Sequence, residues 1–256
     1  MTDYIEGKRP VIEALRAGMP LVSILMADNV HQDGQIRDIL RKARQFGVPV
    51  KTVPRKVLDE KSERGSHQGV MAGAKAYPYA TVTDIIKAAE ADAAKNDGAA
   101  LVVLLDHITD AGNLGAVARS VEVVGASGLI IPNKRSASVT AATYKSSAGA
   151  INHVRCAQTS NLQSAFERLK KAGFWVAGAS EQAVHSVWEA PLYGKIALVM
   201  GSEGDGLARL TLENCDFLVS LPQAGKVGSL NVAQACTAIM YEWMRQVRER
   251  AEKAQA

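Results

Sequence analysis

The sequence predicts an α/β protein of two domains. A small N-terminal α/β domain covers 1–75, a linker covers 76–98, and a larger domain built on a mostly parallel sheet covers 99–256. Three observations predict this. From Ala99 onward, short continuous apolar runs alternate with helix-length segments, the pattern of strands buried on both faces by crossover helices. Residues 76–98 shift to an Ala-, Asp- and Lys-rich composition between Tyr77-Pro78-Tyr79 and Asn96-Asp97-Gly98. Residues before this stretch carry their own short strands and amphipathic helices. The 256 residues suffice for one large or two modest cores.

In the first domain, residues 7–17 have helical spacing and Gly18 follows as a stop. Val22 to Met26 is a short apolar strand. Residues 35–46 form an amphipathic helix ended by Gly47, and Val48 to Val53 a second strand. Pro54 opens a short helix to about Ser62, and Gly69 to Ala74 is a third strand. A partly helical linker follows. In the second domain the strands are Leu101–Leu105, Gly128–Ile131, Val154–Ala157, Phe174–Ala179, Lys195–Met200 and Asp216–Leu221. Helices fall at Leu114–Val124, 139–150, 161–172 and 231–250, with a frayed tail after Arg250.

Composition narrows the function classes. The chain is 47% hydrophobic and 22% charged, an ordinary globular balance, and its 5% aromatic content argues against a stacking platform for single-stranded nucleic acid. The net charge is +4, and residues 1–75 carry 13 Lys/Arg against 9 Asp/Glu. A basic face suits a polyanion, and a solvated surface explains the same charge. Cys156, Cys215 and Cys236 are far apart with no CxxC spacing, which argues against a metal site and a disulfide framework. The start has no signal-peptide h-region and no apolar run approaches 18 residues, so the expectation is a soluble cytoplasmic protein with no membrane partner.

Three segments carry chemistry. Asp106-His-Ile-Thr-Asp-Ala-Gly-Asn-Leu-Gly-Ala-Val-Ala-Arg-Ser120 begins where the Leu101–Leu105 strand ends, which is where open α/β sheets bind ligands. Asn113 suits a helix cap whose free N–H groups attract phosphate, and Arg119 follows within two turns. A cap plus a solvated Arg is the bland alternative. Gly201-Ser-Glu-Gly-Asp-Gly206 ends another strand. It is no Walker A loop, lacking Gly-Lys-Ser/Thr, and a tight turn with Glu203 as a helix-start acid would also explain it. Gly225-Lys-Val-Gly-Ser-Leu-Asn-Val-Ala-Gln234 is the third, with Ser229 or Asn231 as cap of the final helix. A Rossmann dehydrogenase is disfavoured because no GxGxxG opens the first βα turn.

Together these segments resemble the three signature motifs of the SpoU (TrmH-like) RNA 2′-O-ribose methyltransferases of the SPOUT superfamily. Asn113-Leu-Gly115 through Arg119 carries the first, Val199-Met-Gly-Ser-Glu-Gly204 the second, and Leu221-Pro222 with Ser229-Leu-Asn-Val232 the third. Tyr4 to Leu15 and Leu58 to Gly69 are similar to the RNA substrate-binding domain of the RlmB-type subgroup, which methylates a guanosine of large-subunit (23S) rRNA.

The resemblance implies S-adenosylmethionine as methyl donor, no metal, a C-terminal trefoil knot and a homodimer acting on rRNA. It implies cofactor contacts at Ala177, Gly178, Gly201, Leu221 and Leu230. It also implies a catalytic group of Arg119, Glu203, Ser229 and Asn231. For RNA, the expected contacts are Asn113 and Arg119 with Lys8, Arg9, Arg64 and His67 of the N-terminal domain, where Lys61 and Gln68 are further polar loop residues. His107 stands in a motif as a possible base. A tRNA or rRNA-adenosine enzyme of the same family, and a catalytically silent RNA-binding protein on the same fold, stay open.

Overall fold

The computed structural model describes residues 3–62, 65–202, 204–226 and 228–255. The chain divides into two compact units, one of residues 1–78 with 139–149 and one of residues 79–138 with 150–256.

The first unit runs β1 (Asp3–Glu6), α1 (Lys8–Arg16), β2 (Leu21–Ala27), α2 (Gly34–Gln45), β3 (Val50–Val53), α3 (Arg55–Lys61) and β4 (Val70–Ala74). Its sheet has the order β1-β4-β2-β3, and only β2 and β3 are parallel. Apolar spacing places Val11 and Leu15 of α1 and Ile36 and Ile39 of α2 against Ile24 and Val70 of the sheet. Asp33 starts α2 by accepting the Ile36 N–H at 2.9 Å. Strand β1 escapes the sequence pattern. Asp-Tyr-Ile-Glu has no apolar run and is a strand because it pairs with the edge of β4.

The second unit opens with α4 (Val82–Ala93). Thr81 and Asp84 form a reciprocal capping box, with bonds of 3.2 Å from the Asp84 N–H to Thr81 Oγ1 and 2.9 Å from the Thr81 N–H to Asp84 Oδ2. The reading of 76–98 as a linker gives way here. Val82, Ile85, Ala89 and Ala93 are buried with Val102, Leu104, Ile130 and Phe166 in the core of this unit. Gly128 permits the approach, since a Cβ there would lie 2.8 Å from Ile85 and 2.9 Å from the Arg155 carbonyl.

There follow β5 (Ala100–Leu105), α5 (Ala111–Val124), β6 (Gly128–Pro132), α6 (Ala141–Ser146), β7 (Cys156–Thr159), α7 (Leu162–Lys171), β8 (Trp175–Ala179), β9 (Lys195–Met200), α8 (Arg209–Asn214), β10 (Phe217–Val219) and α9 (Val232–Gln255). The six strands are all parallel in the order β10-β8-β9-β5-β6-β7. Alternation along β5 sends Ala100, Val102 and Leu104 toward α4 and α7. Leu101, Val103 and Leu105 are equally buried on the other face, where α5 and α9 pack along each other. Helix α6 belongs instead with the first unit, packing on α1 with a 2.6 Å ion pair between Lys145 and Glu13.

Other differences from the sequence reading have local causes. Helix α5 starts three residues earlier than its apolar pattern because Asp110 caps it. A short helix after the glycine-rich loop, weighed from the sequence as the alternative to a binding loop, is present as α8 and starts at Arg209. The tail expected to fray continues α9 to Gln255.

Candidate active site

Strand order fixes the place of the site. The chain leaves β5 for β6 on one side and leaves β9 for β10 on the other, yet β5 and β9 are neighbours. Their carboxyl ends form the topological switch point, where loops diverge and open a crevice. Asp106, the first residue after β5, is 1% exposed and holds the two loops together. Its N–H donates to the Met200 carbonyl at 2.8 Å, its Oδ2 accepts the Ala208 N–H at 2.8 Å, and its Oδ1 meets His107 Nδ1 at 2.5 Å. His107 adopts φ +59°, an uncommon conformation for a non-glycine residue, in making that contact.

Beyond β9 the loop folds back on itself. Ser202 and Gly206 exchange backbone hydrogen bonds of 2.9 and 3.0 Å, and Gly206 has φ +68°. Gly201 is sterically obligatory, because a Cβ there would lie 2.2 to 2.4 Å from the backbone of Gly206 and Leu207. This loop, the end of β8 and the segment before α9 enclose a cleft of about 490 Å³ whose walls include Ser180, Gly201, Ser202, Leu221, Ser229 and Leu230. That volume lies in the range of small-molecule sites.

Of the expected cofactor residues, Gly201, Leu221 and Leu230 line the cleft, but Ala177 and Gly178 do not. Both are buried inside β8, and the strand reaches the cleft only at Ala179 and Ser180. Gly178 serves packing, since a Cβ would meet Cys215 Sγ at 2.7 Å and Leu218 and Leu207 at 2.8 and 2.9 Å. Burial pushes the Cys215 thiol up to about 11, so it stays protonated at neutral pH.

The third segment meets the first through two asparagines. Asn231 caps α9 by accepting the Ala233 N–H at 2.9 Å, and its Nδ2 donates to Asn113 Oδ1 at 2.9 Å. Asn113 is not the cap of α5. Asp110 is, accepting the Asn113 N–H at 2.8 Å, which leaves the Asn113 side chain for this bridge. A 2.6 Å contact between Ser120 Oγ and Thr237 Oγ1 continues the seam between α5 and α9. Ser229 stands exposed on the cleft wall.

Arg119 is exposed on α5, outside the cleft lining, and has no ion pair among the described residues. Glu203 and Arg64 lie outside the described residues. In the first unit, Arg9 is exposed and without an ion pair among the described residues, whereas two other expected RNA contacts are structural. Lys8 is paired with Asp33 at 2.7 Å with its side chain 13% exposed, and this partner lowers the Asp33 carboxyl pKa. His67 is buried, with Nδ1 accepting the Gly69 N–H at 3.0 Å and Nε2 against Asp59 at 2.8 Å, so both ring nitrogens are engaged. Lys61 lies over the Tyr4 ring, and Gln68 Oε1 accepts the Lys8 N–H. The sequence undervalued Asp106. Its position at the end of an apolar strand was the available signal.

Among the described residues, no three His, Cys, Asp or Glu side chains cluster as a metal site. No helix there is long and apolar enough to cross a membrane. An open parallel sheet with a glycine-walled cleft at the carboxyl ends of β8 and β9, beside the switch point, defines an α/β protein built to hold a nucleoside-sized ligand.

Comparison with known proteins gives the family. The SpoU rRNA Methylase family matches residues 100–241, and the RNA 2′-O ribose methyltransferase substrate binding family matches residues 4–80. The chain therefore belongs to the SpoU/TrmH family and is an RNA methyltransferase. A Bacillus subtilis protein bearing the name TrmH family tRNA/rRNA methyltransferase YacO is 41% identical over 95% of both chains. A Mycolicibacterium vanbaalenii protein with the name "Uncharacterized tRNA/rRNA methyltransferase" is 39% identical over 96% of this chain and 77% of its own length. Among solved structures, the SpoU methyltransferase AviRb from Streptomyces viridochromogenes in complex with AdoMet is similar with a TM-score of 0.61 at 27% identity, covering 96% of this chain and 90% of its own.

Proposed function

We propose that this chain transfers the methyl group of S-adenosylmethionine to a ribose 2′-hydroxyl of RNA, with a guanosine of large-subunit (23S) rRNA as target. The observation that carries this reading is the convergence of the three motif segments on one strand edge, through Asp106 to Ala208 and Asn113 to Asn231. The residues present suit the donor. Gly201 lets the loop close on itself as one wall of the cleft, Leu221 and Leu230 offer apolar walls, and Ser180, Ser202 and Ser229 offer hydroxyls. When bound, the donor supplies a methyl group made electrophilic by its cationic sulfur.

The protein's part is position and charge. Arg119 supplies a planar cation. It holds a phosphate beside the target ribose and stabilises the developing alkoxide. Ser229 and Asn231 orient the ribose, Glu203 orients the guanidinium, and Asn113 holds Asn231. Arg9 and Arg64 meet the RNA from the N-terminal unit, whose match to a substrate-binding family supports that role.

The active form is a cytoplasmic homodimer with the family's C-terminal knot. Arg119 and Val123 share the outward face of α5, and Val123 and Tyr241 of α9 are exposed apolar side chains, at 58% and 48%, of the kind a second copy would cover.

Incubating the protein with total RNA and labelled S-adenosylmethionine, then mapping 2′-O-methylation, tests the reading. Label at one guanosine of large-subunit rRNA supports it. Label confined to tRNA, or on an adenosine, moves the substrate within the family, and no label in any RNA overturns the enzyme reading for this substrate class.

A further inference from the structure

The loop after β6, Asn133-Lys134-Arg135-Ser136, is tied at both ends and basic at its apex. The Asn133 N–H donates to the Thr159 carbonyl at 2.9 Å, which anchors one end to β7. At the other end Ser136 Oγ and the Ala137 N–H donate to the Ile108 carbonyl at 3.1 and 2.7 Å, which anchors it to the first motif segment. Between these anchors Lys134 and Arg135 are exposed, and neither has an ion pair among the described residues. Arg135 adopts φ +51°, a conformation a long side chain rarely takes. The carboxylates that flank Ile108 in the first motif segment are engaged elsewhere, Asp106 by His107 and the Ala208 N–H, Asp110 by the cap of α5. Two uncompensated cations on a doubly anchored apex make a site for an anion.

Position decides which anion. The cofactor cleft is walled from β8, β9 and the segment before α9, on one side of β5, and the basic apex stands after β6, on the other. The donor's carboxylate belongs to the cleft side. Across the β5 loop, the groups that arrive are those of the RNA chain continuing past the target nucleotide. We propose that Lys134 and Arg135 bind a backbone phosphodiester of the RNA next to the nucleotide being methylated, an inference that rests on the RNA methyltransferase reading. Contacts of this kind set register and affinity without reading sequence. They are paid in released counterions, so they show in the salt dependence of binding.

The test uses the full chain and a fluorescent large-subunit rRNA fragment, with anisotropy measured across a salt series. The double variant Lys134→Gln/Arg135→Gln is compared with Arg155→Gln/Lys171→Gln, which removes two exposed cations at the opposite, amino edge of the sheet. The expected result is a slope of log affinity against log salt shallower by about 1.4 to 1.8, with affinity roughly tenfold weaker, in the first variant only. Methyl transfer at saturating RNA keeps the wild-type rate while KM for RNA rises. Equal slopes in wild type and the Lys134/Arg135 variant, or the same loss in both variants, overturns the proposal. Wild type that binds the RNA but methylates none of it would overturn the enzymatic reading instead, and the slope comparison would still decide the phosphate contact.

Discussion

Gly201 and Gly204 sit three residues apart in one loop and answer to different constraints. A Cβ on Gly201 collides with the Gly206 and Leu207 backbone, while one on Gly204 meets nothing within 4 Å. Gly201→Ala is therefore expected to weaken S-adenosylmethionine binding at least tenfold by calorimetry, whereas Gly204→Ala stays within about twofold. Arg119 is constrained by chemistry rather than space. Arg119→Lys keeps the charge but loses the planar fork, so single-turnover transfer should fall about 100-fold with RNA affinity retained. Near-normal turnover would remove Arg119 from the reaction. The sequence singled out Gly201 as a position of close approach, and the approach is made by the backbone of its own loop. It did not foresee the packing demand at Gly178, whose lack of a side chain answers to Cys215, Leu218 and Leu207, 29 to 40 residues away in sequence. It also misassigned the α5 cap, because Asp110 and Asn113 are both good capping residues and only the structure shows which one turns inward.

At the scale of elements, helices α5 and α9 begin beside each other, tied by the hydrogen bond between Asn113 and Asn231 and, further along, by that between Ser120 and Thr237. Truncating Asn231 removes both a cap and a bridge, so Asn231→Ala is expected to destabilise the protein by about 1 kcal/mol in urea unfolding. A double-mutant cycle with Asn113→Ala should show coupling of about 0.5 kcal/mol. Additive effects would mean the bridge contributes only as a cap. Strand β9 was legible to the residue, because an apolar run of five, Ile196 to Met200, buried on both faces leaves little choice. Strand β1 was not, since it owes its existence to pairing with β4 rather than to its own pattern.

For the molecule as a whole, the boundary between the units lies before α4 rather than after it. A fragment of residues 79–256 keeps the apolar face of α4 on the sheet and is expected to bind S-adenosylmethionine while losing activity on RNA. A fragment starting at residue 99 uncovers Val102, Leu104 and Ile130 and should be insoluble or show no cooperative thermal transition. Equal stability of the two fragments would restore the linker reading. The alternation of strands and helices foretold the parallel sheet, but composition alone could not separate an exposed spacer from an Ala-rich helix that packs closely.

The bonds that close the site span long stretches of chain, 102 residues from Asp106 to Ala208 and 118 from Asn113 to Asn231. Loops of that length close late, because their entropy must be lost before their contacts form. During synthesis the ribosome releases the Asp106 segment long before α9 exists. A nascent chain therefore has no cleft to occupy, and methyl-donor binding becomes a signal that the last helix has emerged and docked.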